Sequence, residues 1–241
     1  MKSEFSKNTI VPISLCDRNG VLTVSGCGIL FMEIALQHTE ILKNGMSALI
    51  PQNKFWVTVK TKMEFNFFPR LTQPITVETY PEKPKKLRCM RHYLIKQNGK
   101  TAVAAKTQWV IMNTKTGKIE NPEGIYPPDL EFPEVSAVKT DFSAINADFP
   151  TEPFKTYTVK STDIDAGRHM NNVAYIKAIE SLFSSEEREG FIPASFEIIY
   201  KHPCFENDVI EFRKSNTKNG ICLNASVNGT TIALALITRR Q

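Results

Sequence analysis

The sequence predicts an α+β protein made of two similar halves, each a long helix wrapped by a curved antiparallel sheet. Two observations support this prediction. Each half contains one long apolar helical run followed by about four strand-like runs, and a proline-rich stretch separates the two series. A single apolar helix beside one sheet is buried most economically when the sheet curls around it. Because this order of elements occurs twice, we expect one such unit in each half.

The two helical runs are recognised by the spacing of their apolar residues. In the first, "SGCGILFMEIALQHTEILKNG", these residues recur near helical spacing and spread around the helix, which predicts burial on most sides. Ser25 is the predicted N-cap, and Gly45 is the predicted left-handed residue beyond the C-terminal end. The second run is "NNVAYIKAIESLF", with Asn171 as its predicted N-cap.

Eight strand-like runs follow the helices, four after each. They are "FWVTVKTKMEFNFF", "PITVETY", "LRCMRHYLIKQ" and "TAVAAKTQWVIMN" in the first half, and "ASFEIIYKH", "DVIEFRKS", "GICLNASV" and "TIALALITRR" in the second. Partial alternation of apolar and polar residues and turns such as "NGT" predict antiparallel hairpins. We therefore expect domains over residues 1–120 and 150–241, joined by a proline-rich linker over 121–149.

The composition excludes several classes of protein. Of the 241 residues, 41% are hydrophobic, yet no run approaches the roughly 18 apolar residues of a membrane span. The N-terminal residues lack the apolar core of a signal peptide. The five cysteines are widely spaced and form no CxxC pair, which argues against a disulfide framework or a zinc site. We expect a soluble, reduced, cytoplasmic protein with no metal and no redox cofactor.

The net charge of +5 hides an asymmetry between the halves. Residues 1–120 hold 18 Lys and Arg against 8 Asp and Glu, whereas residues 121–241 hold 12 against 17. A uniform nucleic-acid surface is therefore not expected. The densest basic stretch is "KPKKLRCMR", Lys83 to Arg91. Two interpretations stay open for it: a solvated loop and edge strand, or a docking patch for an acidic partner.

The stretch "DIDAGRHMNNVAYIKAIE" combines the residue types of an acid–base centre. If Asn171 caps the helix, Asp165 and His169 lie in the turn before it, near N–H groups at the positive end of the helix dipole. A carboxylate and an imidazole could there activate a water for attack on a carbonyl, whose oxygen the backbone N–H groups around His169 to Asn172 would bind. Gly167 would let substrate or backbone approach closely. The alternative is an ordinary helix cap with a structural histidine, and spacing alone does not decide.

The halves can be aligned on their predicted helix caps, Ser25 and Asn171. The pairs that follow are Thr23 with His169, Asn19 with Asp165 and Asp17 with Asp163. In this register the first half lacks both the acid and the imidazole, so only the second half is expected to be catalytic. A phosphate loop, a G-x-S-x-G elbow and an H-E-x-x-H helix are all absent from the sequence, and the other histidines are scattered.

These motifs together resemble the acyl-[acyl-carrier-protein] thioesterases of plants and bacteria. The segments that carry the resemblance are, in order, "FWVTVKTKMEFNFFPRLTQPITVETYP", "RHYLIKQNGKTAVAAKTQWVIMNTKTGKI", "DIDAGRHMNNVAYI" and "EIIYKHPCFENDVI". The resemblance extends from about Ile10 to Leu236. It implies a double (tandem) hot-dog fold and the release of fatty acid from a phosphopantetheine-bearing acyl carrier protein.

The resemblance also implies roles for individual residues. Asp165 and His169 match the family's catalytic aspartate and histidine, and Cys204 matches a cysteine proposed as nucleophile. Asn171 and Asn172 match the asparagine pair at the helix start. Two positions depart from the family pattern: Gly167 stands where an asparagine is usual, and Pro203 where a glutamate is frequent, with Glu206 close by.

We therefore expect thioester hydrolysis by water, with Asp165 as base or orienting group and His169 orienting the water or the thioester. The first domain would bind the acyl chain and the second would catalyse. The expected partner is an acyl carrier protein, without nucleic acid or a membrane span, and a homodimer is left open. Alternatives are an acyl-coenzyme A thioesterase, a non-catalytic acyl-thioester-binding regulator and an enoyl-thioester hydratase. The Asp–His spacing disfavours the hydratase.

Overall fold

The computed structural model describes residues 2–146 and 148–240. The chain divides between Thr140 and Asp141 into two compact units. Each unit holds one long helix and one antiparallel sheet of five strands in its main path. None of the helices in these described ranges is long and apolar enough to cross a membrane.

Among its described residues, the first unit contains six strands and two α-helices. They are β1 (Phe5–Ile10), α1 (Val24–Ile41), α2 (Met46–Leu49), β2 (Lys54–Phe65), β3 (Pro74–Pro81), β4 (Cys89–Gln97), β5 (Lys100–Asn113) and β6 (Ile119–Glu120). The sheet order is β1-β3-β4-β5-β2, with the short β6 paired to β5. Helix α1 packs on this sheet, and the ring of its Phe31 lies 5.0 Å from that of Tyr93 in β4.

The second unit repeats this order with five strands and two α-helices among its described residues. They are β7 (Lys155–Thr158), α3 (Asn172–Ser181), α4 (Ser185–Gly190), β8 (Pro193–Tyr200), β9 (Val209–Thr217), β10 (Gly220–Val227) and β11 (Thr230–Arg239). The sheet order is β8-β11-β10-β9-β7. The Tyr200 hydroxyl donates to the Asn172 carbonyl oxygen (3.1 Å) and its ring meets Tyr175 edge-on, which ties the start of α3 to β8.

The predicted two-part α+β fold is confirmed, and all eight predicted strand runs form strands. Between β6 and β7 the described residues form neither helix nor strand. Part of this stretch is fastened to the first unit by hydrogen bonds. The Tyr80 hydroxyl donates to the Val135 carbonyl oxygen (3.1 Å), and the Ala137 N–H donates to His92 Nδ1 (3.2 Å).

Both predicted ends of the first helix are wrong. Its N-cap is Thr23, whose Oγ1 accepts the Gly26 N–H at 2.9 Å, and Ser25 is buried inside the first turn. At the other end α1 stops at Ile41, and Lys43 takes the left-handed conformation (φ 58°). Gly45 has φ −80° and instead caps α2, where Glu40 packs against it. At the N-terminal end of α1, the side chains of Thr23 and Ser25 could each form the cap, and packing selects Thr23.

One residue of the predicted basic stretch, Arg91, is buried. Lys83, Lys85, Lys86 and Arg88 are exposed, but Arg91 is only 4% exposed. Its Nη1 donates to Thr79 Oγ1 (3.2 Å) and to Nδ1 of the buried His38 (3.0 Å). Burial, aided by the Arg91 charge, lowers the pKa of His38 to about 3, so its ring is neutral and accepts this bond. The exposed part of the stretch, Lys83 to Arg88, is called the basic loop below.

Candidate active site

The candidate site is a tight turn, Asp165–His169, that leads into α3. The Asp165 N–H donates to the His169 carbonyl oxygen (3.1 Å), and the Arg168 N–H donates to the Asp165 carbonyl oxygen (2.9 Å). Beyond the turn, the Asn171 side chain accepts the Val173 N–H at 2.8 Å. Asn171 is therefore the N-cap, as predicted, and the turn stands at the positive end of the helix dipole.

Asp165 and His169 converge within this turn. Oδ1 of Asp165 accepts the Gly167 N–H at 2.7 Å and lies 3.9 Å from His169 Nδ1. Oδ2 faces the side-chain amide of Asn171 at 3.5 Å. The two side chains are 27% and 29% exposed, so water can reach both of them. The structure thus brings together four of the predicted site residues, namely Asp165, Gly167, His169 and Asn171.

The orientation of His169 favours one tautomer. Its Nδ1 lies 3.4 Å from the Met170 carbonyl oxygen, a contact that favours a proton on Nδ1. In that tautomer Nε2 carries the lone pair and can accept a hydrogen bond from water. The imidazole can then act as an acceptor at Nε2, which faces Gly167 as Asp165 Oδ1 does.

Gly167 is crowded by the side chains of the site itself. A Cβ atom at this position would lie 2.9 Å from both Asp165 Oδ1 and His169 Nε2. Real Cβ atoms do not approach other atoms so closely, and the φ of Gly167 is outside the left-handed region. The sequence suggested an approach by substrate or backbone at this glycine, whereas the two reactive side chains are the groups that approach it.

Cys204 contacts the turn through its backbone. Its carbonyl oxygen accepts the Met170 N–H at 2.8 Å, while its side chain is buried at 0% exposure. Burial raises the pKa of the Cys204 thiol, and the Asp208 charge adds to the rise, although a hydrogen bond with the Tyr175 hydroxyl opposes it. A buried neutral thiol is a weak nucleophile. The sequence interpretation missed Tyr175, whose position four residues after Asn171 on the helix was the available signal.

The predicted oxyanion donors are partly occupied. The Met170 N–H is held by the Cys204 carbonyl oxygen, and the Asn171 N–H donates to the Asp163 carbonyl oxygen at 2.8 Å. Asn172 is the first residue of α3, and its own carbonyl oxygen accepts the Tyr200 hydroxyl. Among the described residues no group of three or more His, Cys, Asp or Glu side chains could hold a metal ion.

The first unit contains the same turn, and it corrects the predicted alignment of the halves. The Asp17 N–H donates to the Val21 carbonyl oxygen (2.9 Å), and the Gly20 N–H donates to the Asp17 carbonyl oxygen (3.0 Å). Asp17 Oδ1 accepts the Asn19 N–H at 2.9 Å, as Asp165 does from Gly167. Two more backbone hydrogen bonds have counterparts. The Thr23 N–H donates to the Leu15 carbonyl oxygen as the Asn171 N–H donates to that of Asp163, and the Leu22 N–H donates to the Pro69 carbonyl oxygen as the Met170 N–H donates to that of Cys204.

The structural register therefore pairs Asp17 with Asp165, Asn19 with Gly167 and Val21 with His169. The earlier alignment was displaced by two residues because it took Ser25 for the cap instead of Thr23. Contrary to the prediction, the first half does keep the acid. It carries valine in place of the imidazole.

Comparison with known proteins places this geometry in a family. The model of the acyl-ACP thioesterase N-terminal domain matches residues 2–124, and that of the C-terminal domain matches residues 148–238. The chain belongs to the acyl-ACP thioesterase family. The two matches together cover most of both halves of this family member, and the candidate turn lies within the C-terminal match.

Curated relatives of this family member are plant proteins. Oleoyl-acyl carrier protein thioesterase 2 of Arabidopsis thaliana is 21% identical over 88% of the chain and 64% of its own length. Palmitoyl-acyl carrier protein thioesterase of Cuphea hookeriana is 26% identical over 74% of the chain and 46% of its own length. Both are named chloroplastic. The chain spans about half to two thirds of the length of these relatives.

Two solved structures match the whole fold of this family member. An acyl-ACP thioesterase from Bacteroides thetaiotaomicron superposes with a TM-score of 0.86 at 22% identity, covering 99% of this chain and 98% of that one. The 12:0-ACP thioesterase from Umbellularia californica has a TM-score of 0.86 at 15% identity, with 98% and 97% covered. These matches confirm the predicted double hot-dog fold.

Proposed function

We propose that this protein hydrolyses fatty acyl-acyl carrier protein to free fatty acid and carrier protein. Family membership supports the reaction class. The observation that carries the proposal is the convergence of Asp165 and His169, with Oδ1 and Nδ1 3.9 Å apart in a water-accessible turn before α3. The second unit would catalyse, and the apolar α1 of the first unit would line the space for the acyl chain.

The proposed reaction is a direct attack by water. The Gly167 N–H and the Asn171 amide hold the Asp165 carboxylate, which takes a proton from the attacking water. His169 Nε2 accepts the second hydrogen of that water and orients it. The water oxygen bonds to the thioester carbon, and the carbonyl oxygen becomes an oxyanion. When the C–O double bond re-forms, the carbon–sulfur bond breaks and the pantetheine thiolate takes up the proton.

We assign the stabilisation of that oxyanion mainly to the positive end of the α3 dipole. The N–H groups of Met170 and Asn171 already donate to carbonyl oxygens, which removes them from the expected donors. Cys204 takes a positioning role, because its carbonyl oxygen holds Met170 in place while its thiol stays buried and protonated.

The proposal is tested by thiol release from a long-chain acyl-carrier protein, with the same acyl group on coenzyme A and on pantetheine for comparison. We expect multiple turnovers and a higher kcat/KM for the carrier substrate. A preference for coenzyme A would identify the closest alternative. Tight binding of the acyl carrier without thiol release would instead identify a regulator and contradict the proposal.

Two finer expectations belong to the same proposal. The location is expected to be cytoplasmic, because five cysteines are present without a disulfide framework in the sequence. A homodimer is the alternative to a monomer, and light scattering after size-exclusion chromatography measures the mass of the assembly. A mass near 27.2 kDa would exclude the homodimer.

A further inference from the structure

Arg168 occupies a position where the equivalent turn has a glycine. The turn needs a left-handed residue directly before Val21 or His169. In the first unit this residue is Gly20 (φ 70°), and in the second it is Arg168 (φ 62°). Glycine adopts this conformation without a steric penalty, whereas a side chain with a Cβ atom is disfavoured there. The two turns share their backbone hydrogen bonds, so the turn itself does not require an arginine.

The Arg168 side chain is exposed and carries an unneutralised charge. Its guanidinium has no hydrogen-bond or ion-pair partner among residues 2–146 and 148–240. The carboxylates nearest in sequence are already engaged. Asp163 accepts the Tyr157 hydroxyl at 2.8 Å, and Asp165 accepts the Gly167 N–H. A cation therefore stands at the rim of the candidate site with its five donors available to a ligand.

We infer that Arg168 binds the phosphate of the phosphopantetheine arm when the thioester lies at Asp165 and His169. The inference rests on the proposed function. The acyl chain and the thioester carry no charge, so the anionic part of such a substrate lies on the arm beyond the sulfur. A guanidinium fits a phosphate with paired hydrogen bonds. Arg168 is the neighbour of His169, and its long exposed side chain can extend outward along the arm.

The decisive experiment compares two substrates that differ only in the phosphate, acyl-phosphopantetheine and acyl-pantetheine. The variants are Arg168→Gly and Arg168→Asn, both suited to a left-handed residue, with Arg168→Lys keeping the charge. Exposed ion pairs contribute weakly. We therefore expect an about two- to fivefold rise in KM for acyl-phosphopantetheine in the two uncharged variants. The KM for acyl-pantetheine and the kcat for both substrates should stay unchanged, and Arg168→Lys should recover part of the loss.

A matched control is Lys43→Asn, which removes another exposed cation from a left-handed position (φ 58°). It should change neither KM. If the Arg168 variants affect both substrates equally, the residue acts on the reacting centre and the inference is wrong. If only the complete carrier protein is affected, the partner is the protein surface and the phosphate assignment is wrong, as it is if no substrate is affected. Absence of hydrolysis by the wild type would instead refute the proposed function.

Discussion

Asp17 and Asp165 occupy the same position in two turns that share their backbone hydrogen bonds and the carboxylate-to-N–H bond two residues ahead. The fold therefore uses an aspartate in both halves to close the turn before the long helix. Only Asp165 also has an imidazole beside it. This separates the structural role of the carboxylate from its proposed chemical role, and it supplies an internal control.

The first prediction concerns Asp165→Asn. The amide oxygen can still accept the Gly167 N–H, so the turn should form and the melting temperature should change little. Loss of a general base should lower kcat by about a hundredfold to ten-thousandfold. The control is Asp17→Asn, which makes the same chemical change in the equivalent turn and should leave kcat unchanged. A folded Asp165→Asn protein with wild-type thiol release would remove this carboxylate from the mechanism.

The second prediction concerns Gly167→Ala. The added Cβ would meet Asp165 Oδ1 and His169 Nε2 at 2.9 Å, so one of the two must move. A displacement of about 1 Å in such a site can lower the rate by about a hundredfold. We expect kcat to fall by that order with little change in KM. Asn19→Ala, at the equivalent position of the first unit, is the control and should be neutral. Unchanged kcat in Gly167→Ala would show that the crowding is irrelevant to turnover.

The third prediction concerns Cys204. Its thiol is buried and its pKa is raised by that burial, so it should not form an acyl-enzyme. Cys204→Ser keeps the size of the side chain and should retain activity within a few-fold, and mass spectrometry of the stopped wild-type reaction should find no acyl adduct. An acyl adduct on Cys204 would establish a covalent mechanism instead, and a folded but inactive serine variant would show that the thiol itself is needed for turnover.

The fourth prediction concerns the basic loop, Lys83 to Arg88, as a dock for an acidic carrier. Lys85→Glu with Lys86→Glu should lower kcat/KM for the carrier substrate at low salt. Salt screens such exposed charges over about 10 Å at 0.1 M, so the difference from wild type should shrink as salt rises. Acyl-pantetheine, which has no acidic surface, should be indifferent. The matched control is Lys115→Glu with Lys118→Glu, two exposed lysines before β6. Equal effects from both pairs would indicate net charge rather than a dock.

The fifth prediction concerns the pH dependence of stability. The folded pKa of His38 is about 3, below the ordinary 6.5, so the unfolded chain binds a proton that the folded chain excludes. The stability from neutral His38 is complete above pH 6.5 and is lost as pH falls toward 3. Between pH 7.5 and 5 this group should lower the free energy of unfolding by about 2 kcal/mol.

His38→Gln keeps an acceptor for Arg91 and cannot titrate, so its free energy of unfolding should fall by about 2 kcal/mol less than that of the wild type over this range. Urea unfolding at the two pH values measures both. His92 is present in both proteins, so its own contribution cancels in the difference. Identical pH dependence in the two proteins would show that the pKa of His38 is not lowered in the folded state.

Sequence by itself determined the order of the elements, the doubled layout and the cap at Asn171. These features depend on local spacing: apolar periodicity separates helix from strand, and a cap lies within three residues of the N–H groups it accepts. The pairing of Asp165 with His169 was also within reach, because one tight turn contains both residues and the resemblance to known thioesterases assigned their roles.

Only the tertiary structure decided which of two nearby side chains caps α1, and with it the register that matches Asp17 to Asp165. It also placed Arg91 inside the first unit, although sequence had grouped it with a basic surface stretch, and it placed the Cys204 thiol out of reach of solvent. The physical reason is the same in each case. Burial depends on segments distant in sequence, such as β3 and α1 around Arg91 or α3 against Cys204, and their approach is set by packing of the whole unit.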